Sequence, residues 1–122
     1  MLLDDLYHFS KVTPEEDGQG YLVEAVVNAD HDIFKGHFPG SPVLPGVCHM
    51  QMIVDAASEI SGKSLSVKEG IDMKFTAVVD PREGTGLLIK LDLSEQEGGE
   101  MKIQSATTFN GKVCFKFKGV LH

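Results

Sequence analysis

The chain has no tryptophan, only two cysteines and an excess of acid over base, and each shortage removes a class of protein. A net charge of −7 argues against wrapping a polyanion over a broad surface, so nucleic acid is not an expected partner. No apolar run approaches the roughly 20 residues that cross a bilayer, and no membrane association is expected. The amino terminus, "MLLDDLYHF", carries Asp4 and Asp5 where a secretory leader would carry positive charge. A soluble, cytoplasmic protein is the expectation. Cys48 and Cys114 form no short-spaced pair, so reduced, buried thiols are expected, although the start of a helix could lower the pKa of Cys48. His31, His37 and His49 lack a spacing that gathers three ligands, and no metal site is expected.

What is present suits one domain spanning the 122 residues. "YLVEAVVN", from Tyr21 to Asn28, reads as a strand apolar on both faces, preceded by a turn-rich stretch and a short strand around Tyr7 to Val12. From Gly46 to Ser61, "GVCHMQMIVDAASEIS" repeats apolar residues at three- and four-residue spacing, and Gly62 supplies a stop. This is the one long helix. A strand over Glu69 to Val79 follows. "LLIKLDLS", "MKIQSATTF" and "KVCFKFKGV" then alternate in the manner of sheet strands, the last two joined by the Asn110–Gly111 turn. The pattern predicts an α+β fold in which a curved, mostly antiparallel sheet of about six strands covers one helix. Apolar helix residues left over would need a second copy of the chain, so a dimer is expected.

Before the helix lies "KGHFPGSPVLPGV", Lys35 to Val47, with three prolines and three glycines in thirteen residues. Pro39, Pro42 and Pro45 stiffen their own backbones and those of the residues before them. Such a loop holds His37 at a defined distance from the helix start, where the N–H groups of Gly46 and its neighbours can receive a developing negative charge. A base beside an oxyanion site suits proton removal next to a thioester carbonyl. A histidine that only shapes the loop fits the spacing as well.

The run "GHFPGSPVLPGV" resembles the signature of the 3-hydroxyacyl-[acyl-carrier-protein] dehydratases of the FabZ/FabA type, which have the hotdog fold. "HDIFKGHF", "IDMKF" (Ile71 to Phe75) and "NGKVCFKFKG" extend the likeness over most of Tyr21 to Gly119. The resemblance implies His37 as catalytic base and Gly46 as the backbone donor to the thioester oxygen. It implies an acid fourteen positions after the histidine, contributed by the neighbouring subunit, with a glutamine one turn later. Here those positions hold Gln51 and Asp55, so acid and amide are exchanged. An amide has no proton of useful acidity to give a departing hydroxyl. Asp55, one turn away on the same side, is the candidate for the acid role, directly or through Gln51 or a bound water. A partly exposed helix carboxylate, or one paired across a dimer to a lysine, is the alternative for Asp55.

The function implied is reversible dehydration of 3-hydroxyacyl thioesters to trans-2-enoyl thioesters, in fatty acid or related acyl or polyene biosynthesis. No cofactor is consumed, because the substrate rides on the phosphopantetheine of acyl carrier protein. Phe38, Pro45, Val47, Met50, Ile53, Val54 and Phe75 would border the acyl chain, and Lys35 and Lys74 could meet the carrier's acidic face. His49, beside the reactive positions but turned to another face, is expected at the surface or an interface. His31 and Asp32 are expected to shape the loop. The expected assembly is a homodimer, or a higher one such as a trimer of dimers. Three alternatives remain: a weak subunit completed by a sister hotdog chain, an acyl thioesterase using Asp55, and a non-catalytic acyl-binding module.

Overall fold

A computed structural model describes residues 5–16, 18, 20–36 and 40–122. The elements run β1 (Tyr7–Pro14), β2 (Gly20–Val27), α1 (Ile33–Gly36), α2 (Gly46–Ser61), β3 (Val67–Phe75), β4 (Gly86–Glu95), a 3-10 turn (Glu97–Gly99), β5 (Met101–Phe109) and β6 (Lys112–Leu121). The six strands make one antiparallel sheet in the order β1-β2-β4-β5-β6-β3, and α2 lies over β4 and β6. The expected α+β architecture is present. The short helix α1 was not expected, because four residues are too few to show a helical period.

Alternation in the later strands becomes burial. Leu87, Ile89, Leu91 and Leu93 of β4 face the core, as do Met101, Ile103, Thr107 and Phe109 of β5. They meet Cys48, Met52, Ile53, Ala56 and Ala57 of α2 in one cluster. Asn110 and Gly111 both have positive φ, 50° and 79°, as the two-residue hairpin between β5 and β6 requires. The helix ends where expected: Gly62, at φ 71°, donates its N–H to the Ser58 carbonyl at 3.0 Å. In β2 the outer residues Leu22 and Val26 are only half-buried, so burial is one-sided rather than two-sided.

The third strand departs from its pattern. It stops at Phe75, short of the expected Val79, and pairs with β6 at the edge of the sheet. Every residue of β3 is exposed although Met73 and Phe75 stand opposite the buried Phe117 and Phe115. The amino end of α2 meets this edge at Phe75, whose ring lies 6.1 Å from that of His49.

Candidate active site

The amino end of α2 has no side-chain cap. Pro45 precedes it in extended geometry, the Cys48 and His49 N–H groups turn back to the Pro45 carbonyl at 3.0 and 3.3 Å, and no described residue accepts from Gly46 or Val47. Among the described residues, these two adjacent backbone donors are unpaired at the positive end of a 16-residue helix. Gly46 itself is packed closely: a Cβ there would stand 2.9 Å from the Phe75 ring. Val47 is 74% exposed and Phe75 51% exposed, so both flank the donors from the solvent side.

The loop leading in is tied to the segment after β3. Leu44 N–H donates to the Val79 carbonyl at 2.9 Å, and Arg82 Nη1 donates to the Gly40 carbonyl at 3.3 Å while its fork pairs with Asp80. Arg82 holds the Asp80 carboxyl below its ordinary range. His37, Phe38 and Pro39 lie outside the described residues, so the expected base and its neighbour have no described place. His31 does shape the loop entry, its Nδ1 accepting from Ile33 N–H at 3.0 Å. Asp32 pairs with Lys35 at 3.1 Å, both side chains solvent-exposed.

The second group of candidates lies farther along α2. Gln51 Nε2 donates to Asp55 Oδ1 at 2.7 Å, and the Tyr7 hydroxyl donates to Asp55 Oδ2. Asp55 is half-buried, the partly exposed helix carboxylate of the alternative reading, and its oxygens meet two neutral donors. Burial and the adjacent Asp55 carboxylate push the Tyr7 phenol well above its ordinary value. Sequence reasoning did not find Tyr7, since nothing local marks it: the contact joins residues 48 apart.

Two expectations are corrected. His49 is neither at the surface nor at an open edge: it is 3% exposed, with its ring 5.5 Å from Phe115 and 6.1 Å from Phe75, and Nδ1 has no partner among the described residues. Burial disfavours its charged form and pushes its pKa down to about 4. Cys48 is buried as expected, but burial raises its thiol rather than the helix end lowering it. Burial likewise pushes Cys114 up to about 11.

Among the proposed substrate contacts, Val54 and Ile53 are buried in the core, Pro45 is buried, and Met50 is half-buried against the core. Lys35 and Lys74 line separate depressions. Lys74 stands on the outer side of the sheet opposite Lys116, on the reverse of Phe75. No group of three or more metal-ligating side chains occurs among the described residues. No helix among them is long and apolar enough to cross a membrane.

Residues 13–117 match the profile of the ApeI-like family, ApeI dehydratase. The chain belongs to this dehydratase family. It is 27% identical over 128 residues to the 3-hydroxyacyl-[acyl-carrier-protein] dehydratase FabZ of Histophilus somni, covering 96% of this chain and 83% of that one. A FabZ of a Caulobacter species is 32% identical over 95 residues, 77% of this chain and 53% of its own. Among solved structures, the dehydratase heterocomplex ApeI:P from Xenorhabdus doucetiae superposes with a TM-score of 0.71 at 19% identity, covering 93% of this chain and 96% of that one. The hotdog fold and the FabZ-like dehydratase resemblance both stand.

Proposed function

We propose that this ApeI-like dehydratase removes water reversibly from 3-hydroxyacyl thioesters held on acyl carrier protein, giving trans-2-enoyl thioesters for fatty acid or related acyl synthesis. His37 takes the proton from carbon two, and the Gly46 N–H donates to the thioester oxygen as negative charge gathers there. Asp55 gives a proton to the hydroxyl leaving carbon three, which departs as water as the carbon–carbon double bond forms. No cofactor enters this balance. The observation that carries the reading is the pair of open N–H donors at the uncapped start of α2, directly after the proline-stiffened loop. Family membership supplies the reaction class.

Geometry along α2 supports an assembly of at least two chains. Gly46 and Asp55 are nine residues apart, which is about 13.5 Å of helix rise and roughly half a turn of rotation. The thioester oxygen and the leaving hydroxyl belong to carbons two bonds apart, so one chain cannot serve both with these groups. The acid that works with one chain's Gly46 is Asp55 of another. The edge strand β3, with Ile71, Met73 and Phe75 half-exposed beside Val47, is the surface that such a partner would cover.

The partner is a second copy or a sister hotdog chain. Gln51 at the acid position favours the second reading, and a solved relative is itself named as a heterocomplex. Formation of enoyl product from a 3-hydroxyacyl carrier thioester, followed by mass spectrometry, tests both. Turnover by the purified chain supports the homodimer; turnover only after a sister chain is added supports the divided site; none under either condition overturns the dehydratase proposal.

A further inference from the structure

Tyr7 is the first residue of β1, yet it is not a loose end. Leu6 before it is fully buried, the Leu6 carbonyl accepts from Asn28 N–H at 2.7 Å, and the Asp5 carbonyl accepts from Asn28 Nδ2 at 3.0 Å. The Tyr7 ring leans on Phe9, 5.8 Å between centroids, and its backbone pairs with Val27. These contacts aim the hydroxyl across to α2, where it meets Asp55 Oδ2. Since burial and the carboxylate both hold the phenol in its protonated form, the hydroxyl is a standing donor.

The other carboxylate oxygen fixes Gln51. Once Asp55 has given up its proton, both of its oxygens only accept, so the end of the Gln51 amide against Oδ1 is then the NH2 group. That leaves the carbonyl Oε1 turned away from Asp55, and no described residue donates to it. We propose that Tyr7 is a positioning residue of the site: by holding Asp55, its hydroxyl sets the orientation of the Gln51 amide and stabilises the Asp55 carboxylate once its proton has left. The inference rests on the dehydratase reading, in which that proton goes to the departing hydroxyl and forms water. Tyr7 keeps its own proton throughout, so the proton balance of the reaction is unchanged.

The test is Tyr7→Phe, which removes one oxygen and keeps the ring, beside Ile103→Val, a buried β5 residue paired with Leu93 and Gly119, as a packing control. Loss of a hydrogen bond to a charged group predicts a fall in kcat of about 10- to 100-fold for Tyr7→Phe. KM should stay within about threefold and folding should remain cooperative, while Ile103→Val lowers stability with kcat nearly unchanged. An active parent with kcat unaltered in Tyr7→Phe overturns the inference and leaves the dehydratase reading standing. If the parent shows no dehydration, the side-chain NH2 signal of Gln51 in a 15N-labelled sample decides. A shift of that signal in Tyr7→Phe, absent in Ile103→Val, supports the positioning role; an unmoved signal overturns it.

Discussion

His49 is a titratable side chain enclosed by two phenylalanine rings, and this has a measurable consequence. Its folded-state pKa, about 4, lies below the ordinary value of 6.5, so the fold favours the neutral ring. Stability from this group is fully present above the ordinary value and is lost as pH falls toward the folded one. Between pH 7.5 and pH 5 the loss attributable to His49 is about 2 kcal/mol. Urea unfolding at the two pH values should show a smaller difference for His49→Phe than for the parent; equal differences would contradict this. Residue-level reading of the sequence succeeded where chemistry is local. Four-residue spacing placed Gln51 against Asp55, and the proline loop announced the open donors at Gly46. It failed where the environment comes from distant strands. The ring of His49 is enclosed by Phe75 and Phe115, and the partner of Asp55 arrives from β1. At Cys48, desolvation outweighs the helix end, a competition that spacing alone does not weigh.

At the scale of elements, the join between β3 and β6 is the least tolerant feature. A Cβ on Gly119 would stand 2.5 Å from the Glu69 carbonyl and 2.6 Å from the Phe117 ring, and a backbone oxygen in a paired strand cannot swing aside. Gly119→Ala is expected to cost about 2–3 kcal/mol, read as a lower urea midpoint with the slope preserved. A midpoint unchanged from the parent would show that the strand pair yields. Strands β4 to β6 were legible because each alternates over a buried face, and the Asn110–Gly111 turn fixes their hairpin. The pairing of β3 with β6 was not legible, because alternation identifies a strand without naming its neighbour. Its exposure was equally hidden: "IDMKF" has the pattern of a core strand, yet all five of its residues are exposed.

For the whole molecule, the proposed reaction ties activity to assembly through the separation of Gly46 from Asp55. Met73→Lys places a charge on the exposed apolar side of β3 without disturbing the helix or the loop. Sedimentation should show this variant shifted toward the monomer, with dehydration reduced in the same proportion as the assembled fraction. A monomer that keeps full activity would contradict the shared site. Complementation is the most direct measurement of the central claim. Two inactive variants, His37→Ala and Asp55→Asn, are mixed after partial unfolding and refolding together, and enoyl product is followed from a short 3-hydroxyacyl thioester on acyl carrier protein. If base and acid come from different copies, mixed dimers contain one intact site, and activity should return to about a quarter of the parent, half of the chains being in mixed pairs with one working site of two. Activity absent from both variants and from their mixture, with an active parent and dimers formed, would contradict the account.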